Sequence, residues 1–120
     1  MSSIIAVDFD GTIVDHAFPA IGKIKPYCKE VMNLIKEAGH KIIIWTCRSE
    51  DDMGQYLEEM KEWLDENEIP YDAINENVVS EFAPYPKIYY DILIDDRSLF
   101  MSDPVNWVII ESELHKKGVL

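Results

Sequence analysis

Asp8 and Asp10 flank Phe9 and are followed by Gly11-Thr12, immediately after the apolar run Ile4-Ile5-Ala6-Val7; a second acidic pair, Asp95-Asp96, ends the apolar run Ile92-Leu93-Ile94. Carboxylates gathered in a partly desolvated site repel one another. A hard cation with oxygen ligands is the natural way to make such a group tolerable, and magnesium (Mg2+) is the leading candidate. Thr46, at the end of a third apolar run, offers a hydroxyl and neighbouring amides, and Lys87 is the nearest basic residue upstream of Asp95-Asp96. Acidic residues, a divalent cation, a hydroxyl and an ammonium together suit a phosphoryl group.

These residues converge only if the elements that carry them are parallel strands. The chain alternates short apolar runs with helical patterns: strands over residues 4–7, 41–45, 71–74, 91–94 and 105–110 are expected. Between them, Val31, Leu34, Ile35 and Ala38 recur at helical spacing after Pro26 and before Gly39. Met53, Tyr56, Leu57, Met60, Trp63 and Leu64 give a second helix one apolar face, with Ser49 and the acids Glu50, Asp51 and Asp52 suited to its start. The last residues suit a short helix. The expectation is a single α/β domain over residues 1–120, three-layered and Rossmann-like, with a central parallel sheet of about five strands. Ligands in such sheets bind beyond the carboxyl ends of the strands, where all four Asp residues fall.

The order of these residues resembles the haloacid dehalogenase (HAD) superfamily of phosphatases. Its four motifs are an Asp-x-Asp-Gly-Thr box, a strand-end Thr or Ser, a Lys and an acidic pair. Asp8 to Val14 match the first, Ile42 to Thr46 the second, Lys87 the third and Ile92 to Asp96 the fourth. The resemblance implies that Asp8 attacks phosphorus to form an aspartyl-phosphate and that Asp10 serves as general acid and then general base. It further implies a magnesium ion held by Asp8, the Asp10 carbonyl and Asp95 with Asp96 in support, and a phosphoryl group gripped by Thr46 and Lys87. Members of the superfamily often carry a cap domain. Residues 13–25 have room only for a flap and residues 49–86 for one helix, a short strand and loops, so a capless enzyme is expected, its selectivity resting on the flap, on residues 75–86 or on another subunit.

Arg48 and Arg97 stand beside motif positions and suit either substrate contact or a structural ion pair with the carboxylates, the ion pair being favoured. Cys47 reads as a small buried residue whose backbone amide lies near the phosphate. Its thiol has no histidine close in sequence to activate it. His16, His40 and His115 show no metal spacing. Aromatic residues Phe18, Phe82, Tyr85, Tyr89 and Tyr90 could wall the site, although loop aromatics more often anchor packing.

The net charge of −12 argues against nucleic acid and anionic membranes as partners. A small phosphorylated substrate stays acceptable because a bound cation reverses the local sign. The apolar runs fall far short of the ~20 residues of a membrane span, and the N-terminus lacks the pattern of a secretory signal. With only two cysteines, neither in metal or redox spacing, a cytoplasmic monomer or small homo-oligomer is expected. Alternatives remain open at this stage: a phosphatase of phosphoproteins or nucleic-acid ends, a phosphotransferase to an alcohol, and a receiver-like phosphoacceptor. The last places its acidic pair first and its acceptor later, the reverse of the order here.

Overall fold

The structure is a computed structural model that describes residues 2–50, 54–101 and 104–120. Asp51, Asp52 and Met53, assigned from the sequence to a helix, lie outside the described residues. Four strands, β1 (Ile4–Val7), β2 (Lys41–Ile44), β3 (Ala73–Ile74) and β4 (Ile92–Ile94), form one sheet in the order β3-β2-β1-β4. All pairings are parallel, with Val7 level with Ile44 on one side and Ile94 on the other. β1 is buried at every position, as a strand with neighbours on both edges and layers on both faces must be.

The crossovers through α1 (Cys28–Glu37) and α2 (Gln55–Glu66) step the chain from β1 to β2 to β3 in one direction. Right-handed connections therefore keep both helices on one face of the sheet. Cys28, Val31, Met32 and Ile35 of α1 and Leu57, Met60 and Leu64 of α2 join Ile5, Val7, Ile42, Ile44 and Ile94 in a single apolar cluster. The return from β3 to β4 runs the opposite way and covers the opposite face. There Ile4, Ile43 and Ala73 pack with Ile88, against Val78, Val79 and Tyr90. The third layer is thus the irregular segment 75–91, whose only helical piece is a 3-10 turn, Ser80–Phe82. The direction in which strands are added reverses at β1, with β2 and β3 on one side and β4 on the other, which makes the carboxyl ends of β1 and β4 the topological switch point of the sheet.

The fifth strand expected over residues 105–110 is instead the start of α3 (Trp107–Lys116). The cause is a cap: the Asn106 side chain accepts hydrogen bonds from the amides of Val108 and Ile109, which fixes a helix N-terminus within the apolar run. Trp107, Ile110 and Leu114 then point inward and Val108 and Ile109 outward, a helical spacing that a four-residue apolar stretch hides. β4 is left as an edge. The sheet consequently has four strands. Residues 13–15 pair antiparallel with 23–25, through Asp15 N–H to Lys23 O and Lys25 N–H to Ile13 O, so residues 16–22 are a short flap in place of a cap domain. Among the described residues no helix is long and apolar enough to cross a membrane.

Candidate active site

Asp8 is the first residue beyond β1, and its amide donates to Ile94 O of β4 at 2.9 Å. The next residues turn tightly: the amides of Thr12, Ile13 and Val14 all donate to Phe9 O. Gly11 has φ +88°, and a Cβ there would run into the Asp96 carboxylate, so this turn needs glycine both for its backbone and for the close approach of β4. Thr12, fully buried, donates its hydroxyl to Asp8 Oδ2 (3.1 Å) and accepts the Asp96 amide (2.9 Å), joining the two strand ends. Trp107 Nε1–H holds the same turn from behind through Thr12 O (2.8 Å). Thr12 was legible in the sequence only as part of the box; its bridging role required the neighbouring strand.

Carboxylate oxygens of Asp8, Asp95 and Asp96 lie within 4.8 Å of one another. Burial first, then the Asp95 charge and a hydrogen bond with Asp96, push the Asp8 carboxyl up to about 8 from its ordinary 3.8, against the Thr12 hydroxyl. Asp95 is also raised, by burial and by Asp96, in opposition to the Arg97 amide and charge. An all-oxygen donor set that cannot comfortably hold its charges alone fits a hard divalent cation, and these three residues could bind one.

Asp10 leaves this group. Its two oxygens accept from Arg48 Nε and Nη2, each at 2.9 Å, and Arg48 is 1% exposed. The other guanidinium bonds go to Ala20 O of the flap (3.1 Å) and Tyr56 O of α2 (3.2 Å). The rings of Phe18 and Phe9 lie 5.0 and 5.4 Å from the guanidinium carbon. Four of its five guanidinium donors are thus bonded within the fold: the ion pair favoured for Arg48 is formed, with Asp10, and a single N–H is left for the phosphate contact also considered for it.

Thr46 follows β2. Its amide donates to Asn75 Oδ1 (2.8 Å) and its hydroxyl accepts the Arg48 amide (3.1 Å), while Asn75 Nδ2 donates to Arg48 O (3.0 Å). Asn75, read from the sequence only as a loop residue, shapes this turn from a left-handed backbone, φ 55°. The Cys47 amide between them has no acceptor among the described residues. Cys47 itself is exposed, against the expectation of a buried position, because the chain has turned off the end of the sheet; Cys28 is buried.

Asp8, Asp10, Thr46, Cys47, Arg48, Asp95 and Asp96 share one cleft of about 340 Å³ with His16, Phe18 and Arg97. Lys87 does not line it. Asn77 Nδ2 holds Lys87 O (3.1 Å) on the segment behind the sheet, where the exposed lysine borders a separate hollow with Phe82, Tyr85 and Tyr89. Phe82 and Tyr89 stack on each other at 4.8 Å, so of the aromatic walls considered only Phe18 is in the cleft.

Residues 5–77 match the profile of the haloacid dehalogenase-like hydrolases. A solved structure described as the conserved protein coded by a locus from Bacteroides thetaiotaomicron is similar at 33% identity, with a TM-score of 0.84 over 98% of this chain and 93% of that one. No curated protein matches. The profile spans more than half of the chain, and the chain therefore belongs to the haloacid dehalogenase-like hydrolases.

Proposed function

We propose that the protein is a magnesium-dependent phosphatase of small phosphorylated molecules, acting through an aspartyl-phosphate on Asp8. The observation that carries this reading is the half-buried Asp8 at the switch point, with the Thr12 hydroxyl on one oxygen and Asp95 and Asp96 beside it. Membership of a hydrolase family favours turnover over a receiver-like phosphoacceptor.

Asp8, Asp95 and the Asp10 carbonyl would hold the cation, with Asp96 in support. Bound there, magnesium supplies positive charge that screens the nucleophile from a phosphate dianion and offsets charge in the transition state. Thr12 orients Asp8 so that the free oxygen attacks phosphorus and the ester oxygen leaves. The Thr46 hydroxyl and the open Cys47 amide are donors for the non-bridging oxygens. Asp10 gives a proton to the leaving oxygen and then takes one from the water that hydrolyses the acyl-phosphate, regenerating Asp8 and releasing inorganic phosphate.

The test is hydrolysis of p-nitrophenyl phosphate with magnesium and with chelator, paired with rapid quenching and peptide mapping. Magnesium-dependent turnover with phosphate recovered on Asp8 is expected. Label on another residue, or turnover during which no phosphate is ever trapped on Asp8, would overturn the assignment.

A further inference from the structure

The two arginines of the cleft are in opposite situations. Arg48 is enclosed and has its guanidinium bonded to Asp10, Ala20 and Tyr56. Arg97 is exposed, and its one hydrogen bond comes from the backbone, its amide donating to Asp95 Oδ1 at 2.9 Å. Its guanidinium makes no ion pair or hydrogen bond among the described residues, not even with the adjacent acids. Among the described residues its five donors thus lack a hydrogen-bond partner at the edge of an acidic cleft, although its charge acts on Asp95, and Lys87 is not among the residues lining that cleft.

Depth in the cleft separates what Arg97 can touch from what Asp8 must touch. The phosphorus under attack has to reach the half-buried Asp8 carboxylate, so the transferred phosphoryl group occupies the floor. The leaving portion of the ester projects outward, past Phe18 of the flap, toward the exposed rim that Arg97 shares with His16 and Cys47. A guanidinium there meets the leaving group. Its planar fork matches a carboxylate or a second phosphate in two-pronged fashion, and a net charge of −12 leaves few other places for such an anion to be welcomed. The cleft volume of about 340 Å³ sits at the small end of ligand sites.

We propose that Arg97 is a specificity-determining residue that binds a second anionic group on the leaving portion of the substrate. The preferred substrates are then small phosphomonoesters that also carry a carboxylate or another phosphate. This rests on the phosphatase reading above.

Matched esters test it: 3-phosphoglycerate against glycerol 3-phosphate, and ribulose 1,5-bisphosphate against ribulose 5-phosphate, with magnesium present, for wild type, Arg97→Gln and Arg97→Lys. Wild type should favour the doubly anionic member of at least one pair by about 10-fold or more in kcat/KM, with the preference shrinking as salt rises. Arg97→Gln should reduce that ratio by about 10- to 100-fold, the size of a charge-assisted hydrogen bond lost. Arg97→Lys should keep part of it, as a point charge without the fork. A wild type with no preference in either pair, or a Gln variant in which both members fall together, overturns the assignment; in the second case the arginine serves the transferred phosphoryl group or the fold. Failure of wild type to hydrolyse any of the four esters or p-nitrophenyl phosphate overturns the phosphatase reading itself.

Discussion

Arg48 grips Asp10 through both carboxylate oxygens at 2.9 Å from a position that water does not reach. The same guanidinium reaches Ala20 O and Tyr56 O, so one side chain ties the turn after β1 to the flap and to α2. Phe18 packs on the guanidinium and, edge to face, on Tyr56 at 5.4 Å. The flap is thereby closed over Asp10 from the side, and the orientation of Asp10 depends on Arg48.

Arg48→Met should therefore be among the most destabilising single substitutions. It strands the partly buried Asp10 carboxylate and two carbonyls, at a cost of about 3–5 kcal/mol. Urea unfolding should show a lower midpoint with an unchanged slope. A midpoint close to wild type would mean that the clamp is dispensable for folding.

Asp8→Asn should fold and lose turnover by about 10³-fold or more, because the amide keeps the shape but not the nucleophile. Substantial residual hydrolysis, measured on protein freed of wild-type contamination, would count against Asp8.

Asp10→Asn separates the two chemical steps. Nitrophenolate leaves with little help from an acid, whereas hydrolysis of the acyl-phosphate still needs an activated water; each assisted proton transfer is worth roughly 10²–10⁴-fold. An initial burst of nitrophenolate followed by slow turnover is expected, with phosphate trapped on Asp8. Recovery of unlabelled Asp8 after a burst would exclude the covalent route.

The Asp8 carboxyl, raised by burial and by Asp95 from 3.8 to about 8, gives a pH prediction of definite sign. Between those values the folded chain retains a proton that the unfolded chain has released, so the metal-free protein should lose stability as pH rises from about 4 to 8. Asp95 shifts in the same direction. Asp72 behaves oppositely: burial opposes its charge, but the Lys36 hydrogen bond and the Ile42 amide outweigh burial and lower its pKa below 3.8, so its contribution is lost only in more acid solution. Melting scans in chelator at pH 5 to 8 should slope downward, Asp8→Asn should flatten the slope, and magnesium should raise Tm most at the alkaline end, where no proton has to leave. A slope that Asp8→Asn leaves intact would assign it to other groups.

The carboxylates could be read from the sequence because each follows its strand directly: Val7 leads to Asp8 and Ile94 to Asp95, and parallel pairing does the rest. An ion pair of Arg48 with the carboxylates was legible too, but not that it takes Asp10, since the two are 38 residues apart and contact across that gap depends on how the turn after β2 is braced by Asn75. α3 was hidden because its apolar run looks the same in either period until Asn106 caps it. Lys87 was placed by its spacing from Asp95, but the Asn77 side chain fixes its backbone behind the sheet.

The open side of β4 has a further consequence, for how copies of the chain meet. An unpaired strand is a template on which other strands add, and Leu99 and Phe100, 88% and 96% exposed just beyond it, would favour such growth. Only Ile92, Leu93 and Ile94 are available, however, and they are bracketed by Asp91 on one end and Asp95-Asp96 on the other. A second copy adding antiparallel would set Asp91 of each molecule against the acidic pair of the other. The carboxylates gathered for phosphoryl chemistry thus also act as gatekeepers against edge-to-edge fibre formation, and neutralising them should make the chain more prone to aggregate even where it makes the isolated fold more stable.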